Sequence, residues 1–425
     1  RRVLFRSNLP LKQMRLSLFQ CREMQRLSLS IKMQKLYYIL LGVLIVSAGP
    51  LVGQNQQDKI EALEKQLMEL KQQQAAKPDY LKQAAAQGLT FNFYGEMKWI
   101  NKKGTDYMDP HRFVLIPSYK LSDYAIFTSE IEIEHGGVED TDDGEGRFAG
   151  ELEIEQFYID AQISDWATWR SLGISLIPVG TINQYHEPDL FYSVHRPIMY
   201  NKVIPSSWME AGTGFHGDVS GVDGLSYFAY LSEGLSSARA THTDGNWAPR
   251  DTRPRLREKG GSDSLAYSLK LAYAQGGFAG SVSTYQSNYS SANGKTDLGL
   301  YDVEASYNFI EGSLKGVELI ADYAWWDIDD PSKIVGAGAT KTGDKVDGYR
   351  LEIAYHMPRG NNELVPYIRS EGYSTQSGSA GSHNNYLTYG AMYKFGDHWE
   401  IKIGARQSLD QNTSTEYHAG VGMQF

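Results

Sequence analysis

The chain has 425 residues, 41% of them hydrophobic and 22% charged, with a mean hydropathy of -0.43. A bundle of membrane helices, which needs repeated apolar runs of about 20 residues, is excluded, and 28 Tyr, 15 Phe and 8 Trp argue against disorder. A single Cys rules out a disulfide scaffold and a thiolate metal site. The net charge of -10 is uneven: residues 1–53 carry nine basic residues and one acidic, and 54–88 carry five of each. The remaining 337 carry 27 basic against 45 acidic, a balance of -18. So acidic a body is a poor partner for nucleic acid.

Residues 1–32 begin without Met and precede a better start at Met33, so they read as an upstream, non-native extension that takes Cys21 with it. Residues 33–53, MQKLYYILLGVLIVSAGPLVG, place Lys35 ahead of a short apolar core and then small residues. That is the layout of a secretory signal peptide. In the next segment Ile60, Leu63, Leu67 and Leu70 occupy heptad a and d positions. Residues 54–88 are therefore expected to form a short periplasmic coiled-coil-like helix and a linker.

From residue 89 to 425 the period is two. Trp399, Ile401, Ile403 and Ala405 alternate with Glu400, Lys402, Gly404 and Arg406; Tyr417, Ala419, Val421, Met423 and Phe425 alternate with His418, Gly420, Gly422 and Gln424. Such segments of about 10 residues, separated by turn residues, predict transmembrane β-strands. Sixteen are predicted, opening with 89–99 and 111–121. Connections after even strands are short and those after odd strands long (136–149, 179–207, 233–262 and 328–344), as in outer-membrane barrels with short periplasmic turns. The expected fold is all-β, a 16-stranded antiparallel transmembrane barrel. Trp99, Trp208, Trp325 and Trp399 are expected in its interfacial girdles. One strand, 150–163, changes phase, with Leu152 and Ile154 on one parity and Phe157 and Ile159 on the other; a bulge near Glu155 would explain it.

The terminal strand Tyr417–Phe425 resembles the C-terminal signature by which the barrel assembly machinery reads Gram-negative outer-membrane proteins, which implies a place in the outer membrane of a Gram-negative bacterium. The stretches IPVGTINQYHEPDLFYSVHRP (177–197), VIPSSWMEAGTGFHG (203–217) and GLSYFAYLSEGL (224–235) resemble phosphate-selective O/P-type porins. The heptad segment resembles that of dicarboxylate-type porins. The resemblance implies passive diffusion of small hydrophilic solutes or ions through a water-filled barrel. It also implies a homotrimer seated in lipid and lipopolysaccharide, with Tyr417 and Phe425 as the assembly signal.

The third long connection, 179–207, is the expected constriction. It carries Asn183, Tyr185, His186, Glu187, Asp189, His195, Arg196 and Lys202, stiffened by Pro188, Pro197 and Pro205; a rigid loop of both signs sets a size limit and a field. Lumen-facing positions are expected at Glu130, Glu132, Asp160, Glu318, Asp322, Arg112, Arg350, Arg369 and Arg406. His186-Glu187 lacks the second His that a metalloprotease helix requires, and no nucleophile–base pair can be assembled. The run Glu139, Asp140, Asp142, Asp143 and Glu145 reads as a solvated loop. No cofactor or resident metal is expected. The excess of acid favours cations, against the alternative of an anion-specific porin for phosphate or dicarboxylates. From a different class, an outer-membrane enzyme or an adhesin with a plugged barrel would carry no current.

Overall fold

The computed structural model describes residues 87–138, 150–235, 264–291, 294–333, 345–375, 383–410 and 414–425. The upstream extension, the signal peptide, the 54–88 segment up to Ala86 and the acidic run from Glu139 lie outside the described residues.

The alternating segments fold as β1 (Leu89–Lys102), β2 (Thr105–Lys120), β3 (Ala125–Glu134), β4 (Leu152–Ser164), β5 (Ala167–Leu176), β6 (Met209–Asp218), β7 (Leu225–Glu233) and β8 (Leu265–Gln275). The second half supplies β9 (Phe278–Ser291), β10 (Gly294–Asn308), β11 (Val317–Ile328), β12 (Lys345–Tyr355), β13 (Met357–Arg359), β14 (Asn362–Ser374), β15 (His383–Phe395), β16 (Trp399–Ser408) and β17 (Thr415–Gln424). β12 and β13 are one strand interrupted at His356, since both pair with β14. Sequence neighbours pair antiparallel throughout, and β17 returns to β1, from Tyr94 opposite Gln424 to Lys102 opposite Glu416. Sixteen strands thus close on themselves. Closure satisfies every strand edge, which is the condition for a sheet to sit in hydrocarbon.

The alternation sorts two solvents. Phe113, Leu231, Leu271, Leu351, Ile353, Ile401 and Ile403 are exposed on the outer wall, whereas Glu96, Arg112, Glu352, Arg369, Glu400 and Lys402 are buried on the inner one. Short connections, such as 165–166, 276–277 and 360–361, gather at the end that holds Leu89 and Gln424. The long connections 135–151, 177–208, 234–264 and 329–344 leave the opposite end.

Two expectations shift and a third, the bulge in β4, holds. The connection left at 100–110 is instead ladder: β1 and β2 run on to a two-residue turn in which Lys103 (φ 53°) and Gly104 (φ 80°) both take the left-handed conformation that matches hairpin twist. The phase change in β4 is a bulge, for Glu130 faces Gln156 while Ile131 faces Ile154, leaving Glu155 as the extra residue. Trp208 is not in a girdle. It ends the long connection one residue before β6 and is fully buried against Tyr285 and Trp326, with ring centroids 4.5 and 6.0 Å away.

Candidate functional site

The segment 177–208 between β5 and β6 turns back among the inner side chains instead of extending outward. Its backbone is mostly irregular, with two single-turn helices, α1 (Thr181–Gln184) and α2 (Met199–Lys202). Gly180 starts α1 at φ 75°, and a Cβ there would lie 2.7 Å from Tyr200 Cε1 and 2.9 Å from Ile204 Cδ1. Only glycine combines that φ with that clearance. Asn183 clasps the base of the segment: its amide Nδ2 donates to the Ile177 carbonyl at 2.9 Å, and its Oδ1 accepts from the Trp208 backbone N–H at 2.7 Å.

One side of the segment is apolar. Ile177, Val179, Ile182, Phe191, Met199, Val203, Ile204 and Trp208 pack into a core with Tyr230, Tyr285, Leu300, Ala324, Trp326 and Val346 of the wall. Each fully buried Leu- or Phe-sized chain contributes about 1.5–3 kcal/mol, so this core is what draws the segment inward. The inner-wall partners break the polar parity expected of the interior. Strict alternation therefore did not reveal them.

The other ties are polar, and they come from strands all round the ring. Glu304 of β10 accepts from the Thr181 backbone N–H (2.7 Å), from the Thr181 hydroxyl and from the Tyr200 hydroxyl. Glu371 of β14 accepts from the Ile198 N–H at 2.7 Å, and Glu318 of β11 accepts from the Tyr192 hydroxyl. Basic chains hold the carbonyls: Arg112 of β2 donates to His186 O (2.5 Å), and Lys402 of β16 donates to Pro188 O and to Phe191 O (2.7 Å). Arg369 donates to the Ser193 hydroxyl at 2.9 Å, and Lys270 of β8 donates to Gln184 Oε1 at 2.9 Å.

The residues singled out in 179–207 take different places. His186 is buried, its Nδ1 donating to Asn183 O (3.0 Å) and its Nε2 lying 3.0 Å from the Tyr94 hydroxyl and 3.3 Å from Glu155 Oε2. Tyr94 in turn donates to Glu130 at 2.8 Å. Asp189 faces Lys394 at 3.5 Å, Arg196 donates to the Ser207 hydroxyl at 3.2 Å, and the His195 ring stands edge-on to His418, 4.5 Å away. Burial, with Lys98 and His418 beside it, holds His195 well below the ordinary histidine range. Glu187 and Lys202 are half-buried and Tyr185 is exposed.

On the wall, Glu130, Glu132, Glu318, Asp322, Arg112, Arg350 and Arg369 are buried, and Asp160 and Arg406 half-buried. They form neighbouring ion pairs: Arg170–Asp160 at 2.8 Å, Arg350 with Asp322, Arg369–Glu371 at 3.1 Å and Arg406–Glu416 at 2.7 Å. Tyr417 and Phe425 sit on the exposed face of the closing strand. Glu155, Glu304, Glu371 and Lys402 belong with these residues, and strand parity already places the last three on the lumen side. Glu155 was hidden by the bulge, and the others show their role only through partners more than 100 residues away in the chain.

The Gram-negative porin family model matches residues 83–414. An uncharacterised protein of Aquifex aeolicus (strain VF5) is 30% identical over 342 residues, 72% of each chain. Among solved structures, the barrel is similar to Salmonella typhi OmpF in complex with daunomycin (TM-score 0.54, 15% identity, 79% of this chain and 97% of that one). It is also similar to an anion-selective porin from Comamonas acidovorans (TM-score 0.52, 14% identity, 80% and 99%). At these identities the two structures speak for the fold.

Proposed function

The chain belongs to the Gram-negative porin family, and for this outer-membrane channel we propose that residues 177–208 narrow the interior and sort small hydrophilic solutes by size and charge during passive diffusion. The observation that carries the proposal is the set of ties from this one segment to β2, β8, β10, β11, β14 and β16. A loop held from both sides of a ring crosses it and cannot swing away as an external loop would.

Selection is by field as well as by size. Thirteen carboxylates against six Lys and Arg are buried among the described residues, and most of them lie on the inner wall. In a confined passage of low dielectric surroundings that excess raises the local concentration of cations. The mechanism needs no covalent step. A homotrimer, inserted by the barrel assembly machinery and seated in lipid and lipopolysaccharide, completes the proposal, and the mass of the detergent-solubilised particle tests the subunit number.

Reversal potentials across a planar bilayer in a KCl gradient test the selectivity, with cation preference expected. An anion preference, or chloride current blocked competitively by phosphate or a dicarboxylate, would move the reading to an anion-specific porin. Replacing 181–202 by a short Gly-Ser bridge should raise single-channel conductance. Unchanged conductance would remove the loop from the passage.

A further inference from the structure

We propose that Asp109, His111 and His135 form a binding site for a divalent transition-metal ion of zinc type at the rim of the barrel. Asp109 and His111 lie in β2, and His135 is the first residue after β3, at the end from which the long connections leave. Three ligand-type atoms, one from each residue, all lie within 4.8 Å of one another. The Asp109 carboxylate receives His135 Nδ1 on one oxygen at 2.7 Å and His111 Nδ1 on the other at 3.1 Å, and the two rings stand 5.7 Å apart, edge to face.

This arrangement is close to what a metal requires. Bonds of about 2.0–2.1 Å in a tetrahedral shell place neighbouring ligand atoms roughly 3.3 Å apart. The Asp109–His135 and Asp109–His111 pairs, at 2.7 and 3.1 Å, need to lengthen by roughly 0.6 and 0.2 Å to reach that spacing, with each ring passing to its Nε2–H tautomer so that Nδ1 faces the ion. Two imidazoles and one carboxylate suit zinc and its neighbours in the first transition row, whereas calcium and magnesium prefer an all-oxygen shell.

Two features show that the convergence is built into the backbone. The pairing of β1 and β2 shifts between Glu96 and Lys98, leaving Pro110 and His111 opposite Met97 alone. That bulge re-aims the chain at His111. His135 adopts φ 48°, a left-handed conformation uncommon outside glycine, and its N–H donates to His111 O at 3.1 Å. Strain of this kind persists where the surroundings over-determine it and is concentrated at functional sites.

The surroundings permit a cation. The cationic neighbours Lys98 and Arg112 share Glu96, at 2.8 Å from Lys98 Nζ and at 3.1 Å from Arg112 Nε, and Glu132 lies 3.9 Å from Arg112 Nη1, so two carboxylates face the two cations. The side chains of His111, His135 and Asp109 are 28%, 43% and 13% exposed. An ion has an entry path, and the open fourth position is left to water or to a carboxylate brought by a solute.

The test uses the full chain without a polyhistidine tag, folded in detergent micelles and titrated with Co²⁺ and then Zn²⁺. One equivalent of Co²⁺ should give a saturable visible absorption band that Zn²⁺ abolishes. His111→Gln, His135→Gln and the near-isosteric Asp109→Asn should each weaken binding at least about tenfold, while far-UV circular dichroism shows the barrel intact. Absence of saturable binding at millimolar metal would overturn the proposal. So would wild-type affinity in both histidine variants, because the ion would then sit on others of the chain's ten histidines.

Discussion

At the scale of single residues, the interior is decided by polar atoms that have lost water and must find partners. Asn183 is the clearest case, since one amide satisfies the Ile177 carbonyl and the Trp208 N–H at the two ends of the same segment. Asn183→Ala leaves both groups buried and unpaired, a cost of about 1–3 kcal/mol for each such group. The midpoint of heat modifiability in SDS electrophoresis should fall accordingly. An unchanged midpoint would mean that water replaces the amide. His186 illustrates the limit of reading residues in isolation: beside Glu187 it resembles half of a metal-binding motif. In the fold its Nδ1 is committed to the Asn183 carbonyl and its Nε2 lies against Tyr94 and Glu155.

At the scale of elements, the segment 177–208 and the wall are shaped for each other. Gly348 of β12 is one such point of close approach, because a Cβ there would come within 2.8 Å of Val203 Cγ2 and 3.1 Å of Met199 Cβ. Gly348→Val should therefore displace α2, costing about 1–3 kcal/mol as an overpacked core does. Buried Trp208 and Trp326 report the change, and a red shift of tryptophan emission is the expected reading. The closing strand is a second matched pair. Phe425 exchanges backbone hydrogen bonds with Phe93 (2.9 and 3.2 Å), and its ring stacks 4.6 Å from Phe93 and 5.1 Å from His398. Phe425→Ala keeps the backbone bonds but loses aromatic packing of about 0.5–1.5 kcal/mol per pair. The fraction of heat-modifiable barrel formed on refolding should drop, and an undiminished yield would make the ring dispensable for closure.

For the whole molecule, the charge balance is the property that reaches furthest. An interior with more than twice as many buried carboxylates as buried Lys and Arg acts over about 10 Å at 0.1 M salt but only about 3 Å at 1 M. Cation preference measured by reversal potential should accordingly shrink as the mean salt concentration rises. A preference independent of salt would point to a direct binding site instead of a general field.

Much of the barrel was legible without coordinates, because each strand carries its own record of lipid on one side and water on the other. Trp399 to Arg406 shows its face by parity alone, and the bulge at Glu155 was announced by a change of phase. Trp208 and the two-residue turn at Lys103-Gly104 were misjudged where that record ends, at the margins of strands. The sequence by itself determined the number of strands, their direction and the sign of the wall, since a two-residue period is local information. Only the tertiary structure decided which wall residues clasp 177–208, and that Asp109 and His111 meet His135. Those outcomes depend on contacts such as Thr181 with Glu304 and Pro188 with Lys402, 123 and 214 residues apart, and no local pattern encodes a partner at that distance.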